Sequence, residues 1–383
     1  MFPLPSQLVL LPTIAFVGAL LGTACVRLLA RRYGWMAQPR ADRWHRKPTA
    51  LHGGVGFCPV FFGGVVWVVA WRFQTLWSGG HMLSDIPSDL TLAVGLFAGS
   101  LLMFCVGWLD DLRQFRPATK LLCQLVAASL FVYMGGVFPL TNVQVLNLLL
   151  TYCWFVGITN AVNMLDNMDG LASGVVILAG ITLVILAGSA HGLTLGGVLA
   201  VPLGLVFVAT LLGFWAHNRP PAAIFMGDSG SLCIGYTLAA LAVPSPLNGF
   251  MGIHTGGTVL GPVLALLIPA TVLAIPIFDT TLVSISRLRR GLVPFASPGK
   301  DHTAHRLVVR GFSHRRAVLT LYALGSALGI AALKISSLPV LPSYVIFAAV
   351  LVSAAVGIAV LESVPFDKQQ GPQWDRRFRL SKG

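Results

Sequence analysis

Eleven apolar runs follow one another along this chain, each long enough to cross a hydrocarbon layer as a helix. They fall at about 5–30, 54–73, 90–108, 120–137, 144–161, 170–190, 193–215, 230–245, 257–281, 317–333 and 340–361. A backbone in hydrocarbon has to satisfy its own N–H and C=O groups, so runs of this kind pack as helices. Several carry Gly or Pro, which neighbouring helices tolerate. The expectation is an all-α polytopic membrane protein of about 11 transmembrane helices. One integral membrane domain covers 1–361, and a basic tail follows at 362–383. Charged residues make up only 10% of the 383 positions, whereas a soluble domain carries about 25%.

The N-terminus has no Lys or Arg before Arg27, so it lacks the basic segment of a cleaved signal peptide, and the first run reads as a retained span. The six cysteines contain no Cys-x-x-Cys pair and read as small buried residues. A net charge of +13 raises the question of nucleic acid, but no basic stripe interleaved with aromatics is present, so nucleic acid is excluded. The basic residues instead sort by side. All Lys/Arg except Arg27, Arg72 and Lys334 lie in alternate loops and in the tail. The positive-inside rule then sets the N-terminus outside and the C-terminus in the cytoplasm of a bacterial inner membrane.

Most acids gather on that same cytoplasmic face, beside Gly, Asn and Ser at the ends of spans. The densest polar stretch is Asn160-Ala161-Val162-Asn163-Met164-Leu165-Asp166-Asn167-Met168-Asp169-Gly170. On a helix, Asn160, Asn163 and Asn167 would share one face with Asp166 beside them. Such groups at a hydrocarbon edge cost several kcal/mol unless they have a task, and hard oxygen ligands suit Mg²⁺. Asp110-Asp111, with Lys120 following, is a second cluster. Adjacent carboxylates repel, and helical neighbours diverge by roughly 100°. One can therefore face a metal while the other faces a substrate or Lys120. Phe225-Met226-Gly227-Asp228-Ser229-Gly230-Ser231 opens the eighth run with small residues at a helix start, where anions bind. The stretch from Arg43 to Lys47, followed by His52-Gly53-Gly54, reads either as a lipid anchor or as a phosphate-facing loop. The 282–316 loop brings His302, His305 and Arg306. No third ligand at convincing spacing supports zinc there, and donors to phosphate or sugar hydroxyls are favoured. Asp279, at the end of the ninth run, is an ionisable group to be treated as functional.

In this order and on one face, these segments resemble the polyprenyl-phosphate N-acetylhexosamine-1-phosphate transferases. The match rests on Asp110-Asp111, Asn163 with Asp166 and Asp169, Gly227 to Ser231, Pro276 to Thr280, and His302 to Leu307. The resemblance implies Mg²⁺-dependent transfer of a sugar 1-phosphate from a UDP-N-acetylhexosamine to polyprenyl phosphate, with UMP released. Mn²⁺ would be an acceptable substitute, the lipid bilayer a partner, and a homodimer compatible. His302-Thr303-Ala304-His305-Arg306 stands where the branch using UDP-MurNAc-pentapeptide has three consecutive histidines, so the chain looks closer to the UDP-GlcNAc branch. Thr303-Ala304 departs from that branch too.

In the expected mechanism Asp228 is the main metal ligand, since it follows a glycine turn at a helix start. Asp110 orients or deprotonates the lipid phosphate, and Asp111 assists at the metal or at that phosphate. Asn163, Asp166 and Asp169 position the nucleotide–metal complex, as one wall of a shared cytoplasmic cleft. Lys120, His302, His305 and Arg306 neutralise phosphates or bind the sugar, and the resemblance sets Phe225 against uracil. Direct attack by the lipid phosphate is preferred to a covalent aspartyl intermediate. Two rival readings are weaker. A CDP-alcohol phosphotransferase would need Ala-Arg where Ser173-Gly174 stands. An ion-coupled transporter would set its acids near mid-membrane, rather than at one rim.

Overall fold

The computed structural model describes residues 5–38, 48–78, 86–191, 199–245, 261–294, 299 and 301–364. The basic residues Arg43, Arg46 and Lys47 and nearly all of the 362–383 tail lie outside them. The described chain is helical apart from its connections. In order come α1 (Pro5–Tyr33), α2 (Gly53–Ser78), α3 (Ser88–Arg113), α4 (Pro117–Tyr133), α5 (Gln144–Leu165), α6 (Leu171–His191) and α7 (Ala200–Asn218). After these come α8 (Gly227–Ala242), α9 (Gly261–Val272), α10 (Ala274–Arg289), α11 (Thr303–Val309), α12 (His314–Ser337) and α13 (Val340–Glu362). A two-residue ribbon, β1 (Met36–Ala37) against β2 (Thr49–Ala50), is antiparallel, and Ala50 also bridges Ile224.

Each of the eleven apolar runs contains helix, but not all are full spans. Among the described residues, eight helices are long and apolar enough to cross a membrane by length and composition. The run expected at 257–281 is not a straight span: Leu266–Val272 and Ala274–Arg289 meet at 78° and count as a ninth span only if taken together. Proline explains the break. Pro276 has no N–H to return to the carbonyl of Val272, so the helical ladder cannot run through. The helices α4, of 17 residues, and α8, of 16, are shorter than the roughly 20 needed to span alone.

The short helix α8 is the centre of the bundle, with every residue from Ser229 to Ala242 buried. A helix apolar on all sides belongs inside others, and α3, α5 and α2 surround this one. Polar groups tie it in where water cannot compete. Ser100 and Thr237 share a hydroxyl hydrogen bond of 2.8 Å, Tyr236 Oη donates to the carbonyl of Ala127 (2.9 Å), and Trp154 Nε1 donates to that of Ala239 (3.1 Å). The rim helix α13 is the reverse case and leaves Leu341, Val345, Leu351 and Val352 exposed, as a lipid-facing helix does. Cys58 and Cys233 are buried as expected, whereas Cys25, Cys105 and Cys153 are exposed on outer helix surfaces, where an apolar thiol is at home in hydrocarbon.

A second, smaller core joins Leu165, Met168, Leu171 and Ala172 to Ala304 of α11 and to Val318 and Leu321 of α12. It fixes the 302–306 segment against the turn between α5 and α6.

Candidate active site

Close approach of α3 to the start of α8 assembles the first part of the site. Gly107 makes it feasible, because a Cβ there would lie 2.2 Å from the carbonyl oxygen of Asp228. Gly227 supplies the left-handed turn (φ +77°) that begins α8. One turn past Gly107, Asp110 and Asp111 diverge as the helical period requires. Asp111 turns under α8, where its Oδ1 accepts the N–H of Asp228 at 2.8 Å and its Oδ2 accepts that of Ser229 at 3.1 Å. It therefore serves as the N-terminal cap of another helix, satisfying two orphan donors and meeting the positive end of the dipole. His52 Nδ1 lies 3.7 Å from the same carboxylate.

Asp110 turns the other way. Its Oδ1 accepts the N–H of Phe115 at 2.5 Å, and its Oδ2 accepts from Lys120 Nζ at 2.7 Å. The lysine sits on the first turns of α4, and its ammonium also donates to Asp228 Oδ2 at 2.6 Å. Asn163 Nδ2 donates to the remaining oxygen of Asp228 at 3.0 Å and to Ser231 Oγ at 2.8 Å. Asp110, Lys120, Asp228, Asn163 and Ser231 are thus linked bond by bond into one cluster, here called the acid ring, that joins four helices. Two carboxylates this close would repel, and the lysine between them neutralises that repulsion.

The Asn/Asp stretch divides its work rather than presenting one face. Helix α5 ends at Leu165, so Asn167 lies beyond it and does not share a helical face with Asn160 and Asn163. Asn160 pairs with Gln124 through both amide groups (2.8 and 3.2 Å) and ties α5 to α4. Asp166 is the residue at which α5 stops (φ −76°, ψ 53°). Asn167 Nδ2 donates back to the carbonyl of Met164 (2.9 Å). Asp169 Oδ2 accepts the N–H of Ala222 at 2.9 Å and anchors the loop before α8, while the hydroxyl of Tyr322 donates to the carbonyl of Gly170. Phe225, half-buried, joins the same loop to the ribbon: its N–H donates to Ala50 O and its carbonyl accepts from Gly53 N, both at 2.8 Å.

The 302–306 segment stands on the opposite side of that turn. His302 Nδ1 lies 2.8 Å from Asp279 Oδ2, and the N–H of Thr303 donates to Asp279 Oδ1 at 2.7 Å. His305 meets His302 edge to face, with ring centroids 5.7 Å apart. Burial, and then the charge of His302, push the His305 imidazole down to about 3, so it is neutral at pH 7. It can exchange hydrogen bonds but brings no positive charge to a phosphate.

Arg306 faces away from open space. Its Nε donates to Asp301 O (2.9 Å), one terminal nitrogen to Leu361 O and Glu362 Oε2 (both 2.8 Å), and the other to Ser286 Oγ (2.7 Å). With 4% of its surface exposed, it clamps the end of α13 to the histidine segment. Asp301 beneath it receives a two-pronged contact from Arg287 (2.9 and 2.9 Å) and one from Arg290 (2.6 Å). Burial alone would raise the Asp301 carboxyl, but Arg287 with its neighbours holds it well below the usual carboxylate range.

The ring brings together Asp110, Lys120, Asn163 and Asp228, with Asp111 beside it on the main-chain N–H of Asp228. The histidine segment brings together His302, His305 and Arg306. Asp166, Asp169 and Phe225 line the turns between. Sequence reasoning assigned no role to Ser231, Gln124, Asp301 or Arg287, and His52 entered only as part of a loop. Ser231 was within reach, three residues after Asp228 on a helix. The Asp301–Arg287 contact has no sequence signature. The donor set also tests the fit to a divalent ion. Among the described residues no group of three or more His, Cys, Asp or Glu encloses a metal. Mg²⁺ needs no such enclosure, since it uses one or two carboxylates and completes its shell with water and phosphate. The ammonium held between Asp110 and Asp228 shows that these carboxylates accommodate positive charge there.

A multi-pass membrane bundle with an acid-and-lysine ring where its helices end defines the class: a membrane transferase handling anionic substrates. Comparison with known proteins agrees. The family described as Glycosyl transferase family 4 matches residues 93–245, which hold the whole ring. The probable undecaprenyl-phosphate N-acetylglucosaminyl 1-phosphate transferase of Bacillus subtilis is 32% identical over 373 residues, covering 93% of this chain and 95% of the relative. The decaprenyl-phosphate N-acetylglucosaminephosphotransferase of Mycolicibacterium smegmatis is 33% identical, covering 82% and 79%. A phospho-N-acetylmuramoyl-pentapeptide-transferase of Limosilactobacillus reuteri is 34% identical but over only 56% of this chain and 67% of its own. The chain belongs to glycosyl transferase family 4, and of these three relatives the two N-acetylglucosamine-1-phosphate transferases match it over more of its length.

Proposed function

We propose that this protein transfers N-acetylglucosamine 1-phosphate from UDP-GlcNAc to a polyprenyl phosphate, releasing UMP, at the cytoplasmic face of a bacterial inner membrane. The observation that carries the reading is the Lys120 ammonium held between Asp110 and Asp228, with Asn163 fixing the far oxygen of Asp228. Two anionic substrates have to meet at such a reaction centre, where Lys120 can take a phosphate and the two carboxylates can hold the cation that offsets the remaining charge. The donor assignment is supported by the two N-acetylglucosamine relatives, whose match runs over most of both chains. The side of the membrane is supported by the loops that carry most of the Lys and Arg, with the N-terminus outside.

Mg²⁺, held by Asp228 with Asp110 or Asp111 nearby, would draw charge from the UMP leaving group. Asp110 receives the lipid phosphate and takes or directs its proton. Asp111 keeps the start of α8 in place and so sets the aim of Asp228. Lys120 moves from its carboxylate partners to substrate phosphate. Asn163 holds Asp228 in register, and Asp166 and Asp169 shape the turn that receives the nucleotide, with Phe225 beside it. His302 and His305 face the sugar–phosphate end of the donor.

The test is release of UMP by the purified full chain in detergent. It is expected only with UDP-GlcNAc, polyprenyl phosphate and Mg²⁺ together, and to stop with EDTA. UMP release without the lipid would overturn transfer. Preference for UDP-GalNAc or UDP-MurNAc-pentapeptide would overturn the donor.

A further inference from the structure

Asp279 lies on α10, directly after the break in the ninth span, and is 1% exposed. Both of its oxygens are engaged by the segment that follows 23 and 24 residues later in sequence, after α10 and its loop. Thr303 N–H donates to Oδ1 and His302 Nδ1 stands 2.8 Å from Oδ2. A lone carboxylate buried at such depth costs several kcal/mol unless its oxygens are satisfied. An ionised carboxylate only accepts hydrogen bonds, so this contact requires the proton of His302 to be on Nδ1. Nε2 is then the working end of the ring, and among the described residues it has no hydrogen-bond partner. The ring meets that of His305 edge to face, and Ala304 between the two packs with Leu165 and Met168 on either side of Asn167. Asn167 is on the same turn as Asp166, four residues beyond Asn163 and its bond to Asp228. His302 therefore stands across the turn from the acid ring.

We propose that Asp279 is a positioning residue, which holds His302 with Nδ1 protonated and presents Nε2 to the sugar–phosphate end of a nucleotide sugar. The proposal rests on the transferase reading for its substrate, but not for its geometry. A carboxylate that only capped the Thr303 N–H would hold the loop equally well whatever the state of the histidine. Asp279→Asn separates the two. The amide oxygen keeps the Thr303 bond, while the amide nitrogen now donates towards Nδ1 and drives the ring proton to Nε2.

The experiment is ¹⁵N NMR of the full chain labelled at histidine in lipid nanodiscs at pH 8, with His302→Gln used to assign the resonance, alongside UMP release. Wild type is expected to show Nδ1 protonated, and Asp279→Asn to show Nε2 protonated in its place. Turnover in Asp279→Asn should fall by about 10–100-fold, as when an orienting partner is lost, and Asp279→Glu should recover part of it. An unprotonated Nδ1 in wild type, an unchanged ring in Asp279→Asn, or a changed ring with full turnover would each overturn the proposal. If wild type releases no UMP at all, the transferase reading fails separately, and the NMR arm still decides whether Asp279 sets the ring.

Discussion

The acid ring and the histidine segment are built from the same residue types but are held in opposite ways. In the ring, the Lys120 and Asp228 side chains are 24% and 29% exposed, and a single ammonium serves two carboxylates. In the histidine segment, the Arg287 and Asp301 side chains are 5% and 3% exposed, and Arg306 has contacts along its whole guanidinium. The partly exposed ammonium has two carboxylate partners, so it can give up one for an incoming phosphate and stay paired with the other. A buried arginine cannot, because leaving its partner unpaired costs about 3–5 kcal/mol. The ring is therefore suited to exchange partners during turnover, and the Asp301–Arg306 network to keep a loop in one shape.

The largest expected effect follows from the ring. Asp228→Ala should lower UMP release by at least about 10³-fold, since it removes the group assigned to the metal and the hub of the ring. Its melting temperature should stay close to that of wild type, because Lys120 retains Asp110. Near-normal turnover would remove Asp228 from the reaction. Lys120→Met comes next, with a loss of about 10²–10³-fold. It also sharpens the contrast: with no resident cation, Asp110 and Asp228 should gain more thermal stability from added Mg²⁺ than they do in wild type. Equal stabilisation in both proteins would show that the lysine and the ion do not share a place.

Arg306→Ala is the reciprocal experiment. It should cost about 3–5 kcal/mol of stability, read as lost thermal resistance. The remaining folded protein should keep its affinity for the donor, measured by calorimetry at low temperature. Arg306→Lys should rescue little, since one ammonium cannot reach Asp301 O, Ser286 Oγ and the end of α13 together. A stable Arg306→Ala protein with weakened donor binding would return Arg306 to the substrate, the role its sequence suggests.

Much of this was legible in the sequence where the determinant is local. Helical period alone separates Asp110 from Asp111, and Gly227 announces the turn that sets Asp228 at a helix start. The apolar runs located helix in every case. What stayed hidden depends on partners far along the chain. Nothing near Arg306 reveals that α13 returns to it 55 residues later, and nothing near Asn160 reveals that Gln124 will take its amide. The loss of a common face for Asn160, Asn163 and Asn167 is a boundary effect. Two more residues of helix would have restored it, but Asp166 turns the backbone out of the helix one residue after Leu165. Pro276 was visible as a breaker, but a missing hydrogen bond does not itself fix the 78° at which the two pieces meet.

The smallest effect tests the histidine segment through its stability. His305 is buried and neutral, with its imidazole lowered to about 3, whereas in the unfolded chain a histidine titrates near 6.5. Below about 6.5 the unfolded chain takes up a proton that the folded protein refuses, so the unfolded state binds more protons there. Stability is fully present above 6.5 and declines as the pH falls towards 3. His305→Gln, which keeps a hydrogen-bonding side chain but cannot titrate, should remove part of that decline. Thermal unfolding in detergent at pH 7 and at pH 5 measures it: the drop between the two should be smaller in His305→Gln than in wild type. An equal drop in wild type and His305→Gln would mean that the histidine is charged or exposed in the folded protein. The contrast between a closed histidine segment and an open acid ring would then fail at its buried end.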